Sequence, residues 1–329
     1  MLVTALVGIS SAARTALADE DTQAAAPANK PVTQPHARRH SRKPAPLPPE
    51  SRTEYFWEPS AGHVSIEAGA STGSAQYDLK TLGNVTAGSV VLKSSLANMV
   101  FRYGLSEAWA LNLEWSPIGT VTQDTTLTGA PTQSRRSSGP GDLKLGFLDT
   151  IELADIRLHI GLILSAPLTG AKSATPSADG NLSTGGFSLA ALFGLSMKVS
   201  EAHHFGGKAL YRYAGARTSD AQDGTTTSST GGSDFDIAGF YEFHEGRLFV
   251  SPIVEADLID GSLDTNSGRN STNDTSSVAT LETDLGWQFT SSLVMVAKIA
   301  ELLKQESKVG SYKVGYSELV AGANIRYEF

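Results

Sequence analysis

Cysteine is absent from the chain, so there are no disulfides and no thiolate ligands for a metal. That suits passage through an oxidising periplasm without wrong pairings. Long apolar runs are missing as well. No stretch in the body of the sequence approaches the roughly 20 apolar residues that a membrane-spanning helix needs, which excludes a helical membrane protein. Charge is scarce, at 18% of 329 residues, and the net charge of -8 is spread along the chain. A spread charge keeps loops soluble and argues against nucleic-acid binding. There is no phosphate loop, nucleotide fingerprint or basic nucleic-acid stripe, and helix formers are thinly distributed. What the chain does have is glycine, 32 of them, with abundant Ser, Thr and Asn around an apolar content of 40%. That balance suits many short strands joined by polar loops, not an enzyme built from βαβ units.

Residues 1–18 hold a short apolar run, Leu2-Val3-Thr4-Ala5-Leu6-Val7-Gly8-Ile9, and end in Ala16-Leu17-Ala18 before acidic Asp19. They read as a secretory signal peptide cut after Ala18, and the missing basic n-region leaves the true start codon open. Residues 19–55 form an Ala/Pro-rich linker with Pro27, Pro31, Pro35, Pro44, Pro46, Pro48 and Pro49. Prolines at this density remove backbone donors and fix φ, so this segment is expected to be a disordered periplasmic tether. Its basic cluster, Arg38 to Lys43, reads as a solvated charge run; contact with an anionic cell-wall polymer is the sharper alternative.

From residue 56 to 329 the chain alternates, and about twelve strands can be drawn. Clear cases are Trp109, Leu111, Leu113 and Trp115 against Ala110, Asn112, Glu114 and Ser116, and Ile156, Leu158, Ile160, Leu162 and Leu164 against Arg157, His159 and Gly161. Period two places each set on one face of a strand. A soluble sandwich would tolerate such faces too, so the connections decide. Links at Leu105–Glu107, Glu152–Asp155, Glu201–His203, His244–Arg247 and Thr290–Ser292 are short. The alternate links are long and polar, including Pro117–Ser137, Gly215–Ser233 and Ile259–Ser277. Strict short-long alternation predicts an all-β, transmembrane, up-and-down antiparallel barrel of the bacterial outer membrane, with turns at the periplasmic end. Leu293 to Lys304 has helix-like spacing and puts Glu301 on the lipid face; an even strand count keeps it as a strand, with a bulge to re-aim Glu301.

The last stretch, Gly315 to Phe329, alternates down to a terminal aromatic. It resembles the C-terminal signal by which outer-membrane barrels are recognised for insertion. That resemblance implies the barrel-assembly machinery as a partner and Tyr327 and Phe329 as the signal, while the alternating connections require the stretch to be the closing strand, paired with the strand around Val64 to Ala70 so that neither has a free edge in lipid. Two further stretches, Phe101-Arg102-Tyr103-Gly104-Leu105-Ser106-Glu107 and Ser138-Gly139-Pro140-Gly141-Asp142-Leu143-Lys144-Leu145-Gly146, resemble the outer-membrane barrel family named after the meta-cleavage pathway of phenol degradation. The resemblance implies a transport-like barrel for small organic compounds, with no catalytic residues carried over.

The inward faces hold most of the charge. A basic arc is expected from Lys144, Arg157, His159, Lys198, Lys208 and Arg212, and an acidic arc from Asp234, Asp236, Glu242, Glu255, Asp257, Glu282 and Asp284. Facing each other across a lumen, the arcs would orient polar solutes; paired with each other, they would form a salt-bridged plug. His63-Val64-Ser65 has the spacing of a base and a serine nucleophile on one strand face, but it lies near the periplasmic start of the first strand, where lipid substrate does not arrive. No catalytic role is therefore expected. The histidines His36, His40, His203, His204 and His244 fall in the tether and turns, form no metal set by spacing, and no cofactor is implied. The sequence thus points to an outer-membrane barrel in contact with lipid that passes small solutes through a charged lumen. A structural or surface-interaction barrel with a closed pore is the alternative, and a barrel lipid hydrolase a minor one.

Overall fold

Alternation of apolar and polar side chains turns into a closed wall once each strand finds two neighbours. The computed structural model describes residue 56 and residues 58–329, apart from 82, 222–225, 260–262, 267–268, 273–275 and 310–311. The expected signal segment, the linker and the cluster Arg38 to Lys43 lie outside the described residues. In chain order the strands are β1 Val64–Thr81, β2 Thr86–Gly104, β3 Trp109–Leu127, β4 Gln133–Gly139, β5 Leu143–Leu153, β6 Ile156–Ala166, β7 Ala171–Ser173, β8 Ser188–Ser200 and β9 His203–Ala214. They continue with β10 Arg217–Ala221, β11 Thr226–Ser229, β12 Gly232–Glu245, β13 Leu248–Ile259, β14 Leu263–Asn266, β15 Arg269–Thr272, β16 Ser276–Gln288, β17 Leu293–Val309 and β18 Tyr312–Glu328.

Thirteen of these make one sheet, and β18 returns to pair antiparallel with β1, from Ser65 opposite Glu328 to Thr81 opposite Tyr312. Both β4 and β5 run along the same edge of β3, split at Pro140-Gly141-Asp142, so the closed barrel has 12 staves. Closure leaves no backbone edge in lipid, which an open sheet could not tolerate.

The outer face carries exposed apolar side chains on every side, among them Leu145, Leu164, Phe193, Ile237, Val254, Leu285, Ile299 and Ile325. At the short-turn end, which faces the periplasm in such barrels, Tyr103, Phe205, Trp287, Tyr327 and Phe329 are exposed; toward the other end stand Phe187, Tyr211 and Tyr213. These rings form the two interfacial girdles that a membrane barrel needs.

Three expectations about connections change. The link after the first strand is not a long loop: β1 runs 18 residues and β2 19, pairing to Lys80 opposite Thr86. The Pro117–Ser137 segment is likewise mostly β3 and β4 as a paired hairpin. Beyond the membrane a hydrogen-bonded ladder needs no apolar face, so these polar, Thr- and Ser-rich stretches lack the signal that marks a strand by sequence. The Gly215–Ser233 and Ile259–Ser277 links contain β10, β11, β14 and β15, which with β7 form a second sheet in the order β15-β14-β11-β10-β7.

The helix-like stretch is indeed a strand, β17. Its pairing with β16 and β18 overrides helix propensity, which is worth only tenths of a kcal/mol per residue, about 0.7 at most for ordinary residues. The expected bulge lies elsewhere, however. The register shifts between Leu302 and Gln305, so Glu301 is not re-aimed and stays exposed on the outer face, opposite Leu281 and Leu319.

Candidate functional site

The seam between first and last strands carries a buried ionic group of three residues, Glu67, Arg102 and Arg326. Glu67 faces inward on β1, opposite Arg326 of β18, and only 3% of its surface is exposed. Arg102 Nη1 donates to its Oε2 at 2.7 Å and Arg326 Nε to the same oxygen at 3.1 Å, while Asn324 Nδ2 donates to Oε1 at 3.0 Å. Gly69 makes room for the Asn324 side chain, which lies where a Cβ would project. Sequence reasoning passed over Glu67, Arg102 and Arg326 as site residues. Their signal was available once β18 was expected to pair with the first strand, because inward parity then aligns all three.

Above this node the lumen opens into two adjoining cavities of about 370 and 460 Å³ that share Glu114, Lys144, Ile163 and Leu210. The wall mixes two chemistries. Ile163, Leu192 and Leu210 project inward from β6, β8 and β9, whereas Glu114, Lys144, Lys208, Lys298, Arg212 and Asp234 bring charge. The inward leucines are a second feature that the sequence reading missed, because it assigned apolar residues to the lipid face by default.

The charged residues meet side by side. Lys144 Nζ lies 2.7 Å from Glu114, Lys208 Nζ 3.2 Å from Glu255, and Lys298 Nζ 3.4 Å from Glu282. Arg212 lies 2.8 Å from Asp234 and 3.8 Å from Asp236. The carboxylates of Asp236, Glu255 and Asp257 form one cluster, with Lys208 and Arg212 as its counter-charges. Asp284 is fully buried and stands across from Lys298. Two members of the expected basic set sit at the short-turn rim: Arg157 pairs with Glu152 at 3.0 Å, and Lys198 pairs with Glu201 at 2.9 Å. Asp142 holds an outer loop instead, accepting hydrogen bonds from Ser183 Oγ at 2.8 Å and Thr184 N at 3.0 Å.

Toward the short-turn end the lumen is filled by aromatic rings. Phe56, Ala238, Phe240 and Ile253 form a buried cluster, and Phe249 forms another with Val294 and Val296. Inward-facing Gly194, Gly206 and Gly286 accommodate Phe56, Phe240 and Phe249 in turn, since a Cβ at each would fall within the ring. His159, expected among the basic groups, serves here. Its ring stacks on Phe56 with centroids 4.3 Å apart, and its nitrogens lie 3.0 Å from Thr150 Oγ1 and 3.1 Å from Ser196 Oγ. Below it, His204, Glu242 and His244 face one another.

The serine and histidine that a hydrolase would need do not meet. Ser65 is fully buried and its Oγ has no hydrogen-bond partner among the described residues, while His63 Nδ1 lies 3.6 Å from Glu328. The rings of Tyr327 and Phe329 lie tilted against each other with centroids 5.8 Å apart on the outer face of the seam.

No protein-family model matches the sequence, and no curated protein matches it. Among solved structures the chain is similar to an outer membrane channel from Pseudomonas putida F1, with a TM-score of 0.57 at 12% identity over 85% of this chain and 100% of that one. It is also similar to the transport unit of the autotransporter AIDA-I from Escherichia coli, with a TM-score of 0.52 at 11% identity over 80% of this chain and 90% of that one. At such identities the likeness concerns the fold, and the chain has the fold of a transmembrane β-barrel of the bacterial outer-membrane type.

Proposed function

We propose that this barrel is an outer-membrane channel that passes small organic solutes by diffusion through its lumen. The observation that carries the reading is the mixed wall of the central cavities, where inward Ile163, Leu192 and Leu210 lie among Lys144, Lys208 and Arg212 with their carboxylate partners. A solute with a carbon skeleton and one polar end finds both surfaces there, and paired charges orient it without the cost of an unpaired buried ion. The likeness to an outer membrane channel and the resemblance of its turns to the phenol meta-cleavage family support the same class. Membrane lipid, and the assembly machinery acting through Tyr327 and Phe329, are the partners this reading requires.

In this reading Phe56 is the gate. Its ring fills the lumen against Phe240 and Ile253. The second reading, a closed barrel that works through its outer loops, rests on the same aromatic filling. Refolded protein in liposomes separates the two. The channel reading expects uptake of small aromatic acids, faster in Phe56→Ala than in the wild type, and altered ion selectivity on charge reversal at Glu255 and Glu282. Liposomes that stay impermeable with both wild type and Phe56→Ala would overturn it in favour of the closed barrel.

A further inference from the structure

At the short-turn mouth of the barrel, below the aromatic filling, three metal-ligating side chains converge. Glu242 and His244 are two apart on β12, so the period of the strand puts both on its inward face. His204 is the inward residue opposite Glu242 on β9. The ligand atoms of all three lie within 4.8 Å of one another. The rings of His204 and His244 have centroids 5.1 Å apart, and His244 Nε2 contacts Glu242 Oε1.

The burial of the group is what calls for a ligand. His204 is 5% exposed and neither of its ring nitrogens has a hydrogen-bond partner among the described residues. A buried imidazole normally satisfies at least one nitrogen, because leaving polar atoms unpaired forfeits their hydration without return. Beside it the carboxylate of Glu242 is wholly buried. One divalent ion would engage the idle imidazole of His204, with the Glu242 carboxylate and His244 already within reach of the same point.

We infer that His204, Glu242 and His244 form a binding site for one divalent first-row transition ion, of the zinc, nickel or copper class. Two imidazoles and one carboxylate are a donor set that such ions accept, with a fourth position open to water or a small anion, whereas magnesium and calcium prefer all-oxygen shells. Bond lengths near 2.0–2.2 Å require the side chains to draw in by a rotamer adjustment at the strand ends. The ion would staple β9 to β12 directly below Phe240. The sequence reading found no metal set because His204 and His244 are separated along the chain and the register between β9 and β12 is not visible in it.

The test uses the full chain, refolded without an affinity tag and freed of metal. Titration with Co2+ should give visible d–d absorption saturating at one equivalent, displaced by Zn2+. His204→Ala and His244→Ala should each weaken Co2+ binding by about 100-fold or more, given that even supporting residues of metal sites cost 10–100-fold. The double variant His36→Ala/His40→Ala should bind as the wild type does. Cu2+ bound to the wild type should show superhyperfine coupling to two nitrogens, which keeps the inference testable even where a variant fails to fold. Absence of saturable Co2+ binding, binding unchanged in both His204→Ala and His244→Ala, binding lost in the His36/His40 variant, or a copper spectrum without nitrogen coupling would each overturn it.

Discussion

Replacing Glu67 by alanine should be among the most damaging single changes in the barrel. The carboxylate sits between two guanidinium groups, Arg102 at 2.7 Å and Arg326 at 3.1 Å, with exposures of 3%, 8% and 4% for the three residues. Removing one partner of a buried ion pair costs about 3–5 kcal/mol, because the remaining charge is left buried without compensation. Both arginines keep further contacts, which puts the loss near the lower end, about 3 kcal/mol. Since Glu67 and Arg326 lie opposite each other on β1 and β18, the loss falls on the seam that closes the barrel. Urea unfolding of protein refolded in lipid vesicles, followed by tryptophan fluorescence and by the heat-sensitive gel mobility of the barrel, measures it. Volume-matched replacement of the whole group, Glu67→Leu with Arg102→Met and Arg326→Met, should recover most of the stability, since apolar substitutes for a buried ionic group are often neutral or better. A Glu67→Ala protein within about 1 kcal/mol of wild type, or a triple variant less stable than the single one, would refute the account of the node as a coupled buried cluster.

Gly286→Ala should destabilise by about 1–3 kcal/mol, the usual range for overpacking, because the new methyl falls within the Phe249 ring; adding Phe249→Leu should return part of the loss in the same unfolding assay. Glu301→Leu should leave assembly intact and raise stability by up to about 1 kcal/mol, as expected for removing an acidic side chain from the lipid face near an interface, and a loss of stability would show that Glu301 is held by a polar partner. Tyr327→Ser with Phe329→Ser should slow membrane assembly in cells severalfold while leaving solute uptake per assembled barrel unchanged; normal assembly would argue against the terminal aromatics as the signal.

Inside and outside were legible from the sequence because the strand period is a local property. Leu189, Phe193, Leu195 and Met197 are exposed as their alternation required, and short turns between long links gave the barrel its class and strand number. The outer hairpins were not legible, since above the membrane a ladder is held by backbone hydrogen bonds and both faces can be polar. The helix-like letters of β17 did not prevent its reading as a strand, since two neighbouring strands outweigh intrinsic propensity; only the position of its bulge was missed. What an inward side chain meets is a different kind of question, set by register and closure. Glu67 and Arg326 are 259 residues apart in the chain, Phe56 reaches Gly194 and His159 from outside any strand, and His204 meets Glu242 and His244 only through the pairing of β9 with β12. Sequence alone therefore determined the wall of this protein, and tertiary structure alone decided the contents of its lumen: alternation along a strand specifies a direction for each side chain, while the partner found in that direction depends on contacts that only the closed barrel creates.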